Sequence, residues 1–177
     1  MKFSRAAKNI GFTLIEVIVT IFIIAVISGL IFANYHQSGQ HIALQNSANI
    51  LSQDLRRAQQ MAMSVKDYSC SSGKLKGFGI WLSPGADVYS LRARCEISDG
   101  VYLDPDPVLE NHDELKKNGV IISNLIPNQD PLKIFFYPPD PVIDIGGATD
   151  AMITLSLKNA SMTKTVKINE IGLIEIQ

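Results

Sequence analysis

Three residue types are scarce or missing at informative places in this chain. Proline is absent between Phe12 and Val65, cysteine occurs only twice, and no acidic residue precedes Glu16. Because proline interrupts helices more strongly than any other residue, its absence leaves a long stretch free to be helical. Two cysteines exclude a zinc site of the usual four-ligand kind. With 16 basic and 17 acidic residues the charge is nearly balanced, so broad nucleic-acid binding is not indicated.

A long apolar segment, residues 12–33, follows a leader whose charges are Lys2, Arg5 and Lys8. At 1.5 Å per residue such a helix spans a bilayer core of ~30 Å, and the positive-inside bias places the N-terminus in the cytoplasm. A secretory signal peptide would have a shorter apolar region and a small-residue cleavage site. A plain signal anchor leaves Glu16 unexplained, because an ionised side chain in a bilayer core costs at least ~2.5 kcal/mol.

The junction of leader and apolar segment reads Gly11-Phe12-Thr13-Leu14-Ile15-Glu16-Val17. This pattern resembles the N-terminal signal of type IV prepilins and of type II secretion pseudopilins. The resemblance implies removal of leader residues 1–11 by a prepilin peptidase, N-methylation of Phe12, and assembly with other pilin or pseudopilin subunits at an inner-membrane assembly platform. It also implies that Glu16 meets the terminal amine of a neighbouring subunit and sets the register. A glycine at the cut suits a protease cleft because it has no Cβ.

Helical character is predicted to continue over residues 34–66, with Gly39 as a possible kink. Apolar residues recur there with the 4-3 spacing of an amphipathic helix, at Leu44, Ala48, Leu51, Leu55, Ala58, Ala62 and Val65. The stripe can pack under a sheet, and its small alanines favour this. Its period of 3.5 also fits a coiled-coil seam. We therefore expect one helix from Phe12 to about Val65.

Residues 67–177 are predicted to form a β-rich globular head. Alternating or apolar runs bounded by turn residues predict strands over 77–82, 88–96, 119–125, 133–137, 151–157, 163–168 and 173–176. An acidic, turn-rich insertion is expected over 99–119. The predicted class is α+β, with a long N-terminal helix packed on a C-terminal antiparallel sheet, a pilin-like arrangement.

The two cysteines both follow the predicted membrane segment. Cys95 lies on the apolar side of its predicted strand, and Cys70 comes just past the helix. An oxidising compartment outside the membrane favours a disulfide between them. The alternative is two unpaired, buried thiols that behave as small hydrophobic side chains.

A second resemblance concerns the helix end, residues 54–62, and the closing strands, residues 168–173. Both are similar to segments of the H-type minor pseudopilins of type II secretion and of the related minor pilins of type IV pili. The function that this implies is structural, that of a single-pass inner-membrane subunit with a periplasmic head, which is extracted into a pseudopilus or pilus. The alternative is a competence or adhesion minor pilin whose head binds DNA or a surface.

Other chemistry finds less support in the sequence. The three histidines have no partner at a recognisable spacing, so we expect surface histidines and no enzyme; they are His36, His41 and His112. No cofactor is expected, although two acidic groups have oxygen ligands of the kind calcium takes, Asp104, Asp106 and Asp113, or Asp140, Asp144 and Asp150. Their spacing is not that of a known calcium loop. Two sparse basic groups form too small a patch for DNA and are expected to be solvated, Lys158, Lys164 and Lys167, and Arg92 with Arg94.

Overall fold

The computed structural model describes residues 13–64, 67–138, 142–158 and 161–177. A long helix, α1, covers Leu14–Met63, and a short one, α2, covers Glu114–Lys117. The chain divides into two compact units, Met1–Gly39 and Gln40–Gln177. One long helix followed by antiparallel strands confirms the α+β class. The expected helix limits, Phe12 and Val65, lie outside the described residues.

The described residues of the second unit form ten strands in two antiparallel sheets. In chain order the strands are β1 (Lys74–Leu82), β2 (Tyr89–Ser98), β3 (Val101–Tyr102), β4 (Val108–His112), β5 (Val120–Ile126), β6 (Leu132–Tyr137), β7 (Val142–Asp144), β8 (Asp150–Leu157), β9 (Thr163–Asn169) and β10 (Ile174–Ile176). The first sheet has the order β3-β2-β1-β6-β7, and β4 also pairs with β2. The second has the order β10-β9-β8-β5.

The part of α1 that belongs to the second unit supplies one side of the head's core. Six residues of the predicted stripe are buried there, Leu44, Ala48, Leu51, Leu55, Ala58 and Ala62. They join inward-facing residues of both sheets in one cluster, among them Ile80, Leu91 and Ile153. Of the two predicted alternatives, packing under a sheet and a coiled-coil seam, the apolar stripe of α1 therefore adopts the first. Burial of each leucine contributes about 1.5–3 kcal/mol.

The insertion over 99–119 contains turns, as predicted, and is also more ordered than its composition indicates. It contains β3, β4 and α2. Strand β4 forms because β2 offers it a free edge, on which Tyr89 pairs with His112 and Ser90 with Asn111. That pairing is a long-range contact, and a local run rich in aspartate and proline does not reveal it. After α2, Gly119 has a φ of +67°, and β5 begins one residue later than predicted.

The first sheet also packs on the side that faces away from the main core. Phe135 on β6 is fully buried there, although it does not belong to the core cluster. A Cβ at Gly79 on β1 would overlap the Phe135 ring and the Ile134 carbonyl, so glycine leaves the space that the ring fills. On this side Arg92 and Lys133 contact the Trp81 ring and Arg94 contacts the Phe135 ring, which gives the surface a charged character.

Candidate functional site

A threonine caps the start of α1. The backbone N–H of Glu16 donates to the Thr13 carbonyl at 3.1 Å and lies 3.4 Å from Thr13 Oγ1. A threonine three residues before a glutamate is the capping-box pattern, which satisfies backbone N–H groups at a helix start. A carboxylate in the first turn also suits the positive end of the helix dipole. Sequence reasoning missed this helix cap, although Thr13-Leu14-Ile15-Glu16 has the residues of the capping-box pattern.

The surface around Glu16 is apolar and exposed. The large side chains that follow it are between 45% and 68% exposed, Val17, Ile18, Val19, Ile21, Phe22, Ile23, Ile24, Val26 and Ile27. Glu16 is exposed as well, and no residue in the described part of the chain forms an ion pair with it. A helix that is apolar on every face needs lipid or other helices around it.

The residues expected to be processed lie outside the described part of the chain. Gly11, the cleavage residue, and Phe12, the methylation residue, lie outside the described residues, as does the rest of the leader, 1–11. Across the described ranges, no helix is both long and apolar enough to cross a membrane. The membrane span over 12–33 stays a prediction.

The comparison with known families bears on this same end of the chain. Residues 7–32 match the family described as Prokaryotic N-terminal methylation motif. The chain carries a prepilin-type methylation motif. The motif supports the type IV pilin and pseudopilin superfamily, and it implies processing by a prepilin peptidase and assembly with other pilins. It also suggests a membrane-anchored N-terminus. No curated protein and no solved structure was found to match the chain.

Beyond the prepilin-type motif, a disulfide cross-links the head. Cys70, in the segment between α1 and β1, is bonded to Cys95 on β2, with the two Cα atoms 6.0 Å apart. Cys95 is fully buried and pairs across the sheet with Leu75. The bond therefore fastens the chain that leaves α1 to the middle of the first sheet.

A buried polar cluster joins α1 to three other elements of the head. His112 is only 7% exposed, so the prediction of a surface histidine is wrong for this residue. Its Nδ1 lies 3.2 Å from Asp54 Oδ2 and 3.8 Å from Glu114 Oε2, and its ring stacks on Tyr89 at 5.0 Å. The Tyr89 hydroxyl donates to Asp54 Oδ2. Burial, together with this hydrogen bond, raises the pKa of Tyr89 above its ordinary value of 10.0.

The other two histidines do not join this cluster. His41 is exposed, and the side chain of His36 lies outside the described residues. Sequence spacing did not reveal the cluster because its members are 58 and 23 residues apart, from Asp54 to His112 and from Tyr89 to His112. A stacked histidine held by a carboxylate fixes β4 and α2 against α1.

A second charged cluster surrounds Arg94, which is only 9% exposed, so the prediction of a solvated side chain is wrong here. Its Nη2 lies 3.4 Å from Asp106 Oδ2, and its Nη1 lies 3.2 Å from Asp144 Oδ2 and 3.0 Å from the Tyr137 hydroxyl. The guanidinium carbon is 3.8 Å from the centre of the Phe135 ring. Asp106, itself 2% exposed, thereby joins the insertion to the first sheet.

The acidic residues weighed as calcium ligands are instead paired with cations. Asp106 and Asp144 form ion pairs with Arg94. Each of the other described aspartates of this set forms an ion pair with a lysine: Asp104 with Lys133, Asp113 with Lys117 and Asp150 with Lys167. Asp140 lies outside the described residues. Within the described ranges, no group of three or more metal-ligating side chains is close enough to hold an ion.

The basic residues weighed for DNA are partly neutralised in the same way. Lys158 lies 2.8 Å from Asp87, and Lys167 lies 3.4 Å from Asp150. Lys164 is on β9 with Lys167, three residues away. Since Arg94 is paired as well, these residues do not combine into the large unneutralised patch that phosphate binding needs.

Proposed function

We propose that the chain is a structural subunit, a minor pilin or pseudopilin, which residues 12–33 anchor in the inner membrane before it is drawn into a filament. Prepilin peptidase cuts after Gly11, and the new terminus, Phe12, is methylated. The head stays outside the cytoplasm. The match of residues 7–32 to the methylation motif carries this proposal, because that motif leads into a helix surface that is apolar and exposed around Glu16.

Glu16 sets the register of assembly in this proposal. Its carboxylate pairs with the terminal amine of Phe12 in a neighbouring subunit. Support comes from its exposure on an apolar surface, where no described residue forms an ion pair with it. In surroundings of low dielectric constant an unpaired carboxylate is costly, so only the stagger that pairs the two charges is favourable.

Within the superfamily, the proposed subclass is an H-type minor pseudopilin of type II secretion or a related minor pilin. Its support is the resemblance of residues 54–62 and 168–173 alone. The same subunit type serves a pseudopilus or a type IV pilus. The alternative of a DNA-binding competence pilin gains no support from the head, because Lys158 and Lys167 lie in ion pairs.

Processing is tested by mass spectrometry of the membrane-extracted protein, made in cells with an active prepilin peptidase. We expect an N-terminal peptide that begins at Phe12 and carries one extra methyl group. A Gly11→Val variant should keep the leader, because a side chain at the cut blocks entry to the protease cleft. Recovery of the wild-type chain with Met1 and the leader intact would contradict the proposal.

A further inference from the structure

Two neighbouring arginines on β2 have very different surroundings. Arg94 is held by two carboxylates, whereas Arg92 forms no ion pair with any residue in the described ranges. The Nε of Arg92 donates to Ser90 Oγ at 2.9 Å, and its Nη1 donates to the backbone carbonyl of Asp106 at 2.8 Å. A guanidinium has five N–H donors in a planar fork. The Nη2 group of Arg92 therefore has donors left for a further acceptor.

Arg92 is also partly removed from water, and no described carboxylate forms an ion pair with it. Burial lowers its pKa from the ordinary arginine value, and Asp106 and Asp104 offset this only in part. An arginine stays protonated in proteins, so it cannot relieve the cost by losing its charge. An anion that reaches this guanidinium would relieve it.

The side chain of Arg92 lies in the wall of an open pocket of about 360 Å³. The pocket is formed by β1, β2, β4 and two loops, and its polar lining includes Ser83, Ser90, Arg92 and Asn111. None of the described residues that line it carries a carboxylate. The volume is at the small end of the range for ligand sites, enough for one compact group.

Trp81, which lines the pocket, holds the Arg92 side chain in place and also contacts Lys133, a cation beside the pocket. The guanidinium carbon of Arg92 is 3.8 Å from a Trp81 ring centre, and Lys133 Nζ is 4.1 Å from it. These two cations come from β2 and β6, the strands on either side of β1. Among the described residues, Lys133 forms one weak ion pair, 3.7 Å from Asp104, whose side chain is 79% exposed. The aromatic contact limits the motion of Arg92, so its guanidinium is already oriented before a ligand binds.

We propose that this pocket, with Arg92 as its anchor, binds a single carboxylate group. A planar fork matches a carboxylate in the bidentate arrangement, and the hydroxyl of Ser90 and the amide of Asn111 offer further donors. A polyanion such as DNA fits less well, because Asp104 and Asp106 lie close to the site. The carboxylate is supplied by a free organic acid or by an acidic side chain of a partner protein. This inference does not depend on how the subunit assembles.

Trp81 makes the test direct, since it is the single tryptophan of the chain. The full chain in detergent micelles is titrated at constant ionic strength with N-acetylglutamate, and its tryptophan fluorescence and indole N–H resonance are followed. N-acetylglutamine is the matched uncharged ligand. We expect a saturable change with the acid and none with the amide. A peptide, acetyl-Gly-Glu-Gly-amide, separates the sources: tighter binding than the free acid supports a protein side chain, and equal or weaker binding supports a small organic acid.

Three variants locate the site. Arg92→Gln should weaken binding at least about tenfold, because a charge-assisted bidentate contact is lost. Asn111→Asp, at an exposed position, places a competing carboxylate in the pocket and should weaken binding to a similar degree. Lys74→Gln removes an exposed cation from the start of β1 and should leave binding unchanged.

Several results would overturn the proposal. One is a response that never saturates or that N-acetylglutamine reproduces. Another is that the Arg92→Gln and Asn111→Asp variants both bind N-acetylglutamate as tightly as the wild-type chain does. A third is a single-stranded oligonucleotide that binds more tightly than either carboxylate ligand and is displaced steeply by salt, since that would identify a phosphate-binding surface.

Discussion

The backbone N–H of Glu16 lies 3.4 Å from the Oγ1 of Thr13, so the carboxylate-bearing residue at the start of α1 also supplies an N–H group that the cap residue satisfies. Two roles thus meet in Glu16. One is local and uses its backbone N–H, which donates to the cap residue Thr13. The other is the proposed pairing between subunits, which needs a charge.

Substitution by glutamine separates these roles, because glutamine keeps the backbone N–H and the capping-box sequence pattern but has no charge. We expect Glu16→Gln and Glu16→Val to be equally defective in filament incorporation, measured by the share of the subunit recovered in sheared filaments. The control is Thr13→Ala, which removes the cap at a cost of about 1 kcal/mol and should still be incorporated. Normal incorporation of Glu16→Gln would assign the residue to capping alone.

The Cys70–Cys95 bond should stabilise the head. Cross-linking residues 25 positions apart restricts the unfolded chain and contributes about 3 kcal/mol. The Cys70→Ser/Cys95→Ser double variant should unfold at correspondingly lower denaturant, measured on the full chain in micelles. Reductant should lower the denaturant midpoint of the wild-type protein to that of the variant, and it should not change the midpoint of the variant. If reductant does not change the denaturant midpoint of the wild-type protein, the disulfide does not stabilise the head.

The two carboxylates that pair with Arg94 should contribute different amounts to the free energy of unfolding. Asp106→Asn leaves a buried guanidinium short of its buried counter-charge and should cost about 3 kcal/mol of unfolding free energy. Asp144→Asn is the matched control, because its side chain is 40% exposed and the pair is screened by water, so we expect less than about 1 kcal/mol. Equal losses in denaturant unfolding would show that burial does not decide the strength of this cluster.

Alkaline pH should destabilise the head through Tyr89. Its pKa is raised in the folded state from the ordinary 10.0, so above about pH 10 the unfolded chain loses this proton while the folded chain keeps it. Stability then falls as pH rises, by up to about 1.4 kcal/mol per pH unit for one such group. The effect adds to that of Tyr137, whose pKa burial raises to about 12.

Tyr89→Phe should therefore flatten the decline of unfolding free energy between pH 9 and 11, roughly the interval in which tyrosine ionises. It should also lower stability at pH 7 by about 1 kcal/mol through loss of the hydrogen bond to Asp54. The control is Tyr102→Phe, at an exposed position. An unchanged alkaline slope in Tyr89→Phe would remove Tyr89 as a cause.

Periodic and local features were predictable from the sequence. The 4-3 stripe from Leu44 to Ala62 predicted the buried face of α1, because one helix face repeats every three or four residues. Alternation over 88–96 placed Cys95 toward the core for the same kind of reason. The strand set was predicted to within a few residues, except β3, β4 and β7, which are short and depend on neighbouring strands.

The charged clusters were not predictable in this way. His112 and Arg94 were expected at the surface because nothing near them in sequence explains burial. Their partners, Asp54 and Asp106, reach them only after β2 has paired with β4 and the insertion has folded onto the first sheet. Burial of a charge depends on where its counter-charge lies in space, and local spacing does not contain that information.

By itself, the sequence determined the prepilin-type motif and the long helix, because a peptidase signal and a helical period are local properties of consecutive residues. Only the tertiary structure decided which of two adjacent arginines is neutralised. Arg94 and Arg92 are two positions apart on one strand and share its outer side. The insertion brings the Asp106 carboxylate and β7 brings the Asp144 carboxylate to Arg94, whereas Arg92 receives only a backbone carbonyl from the insertion.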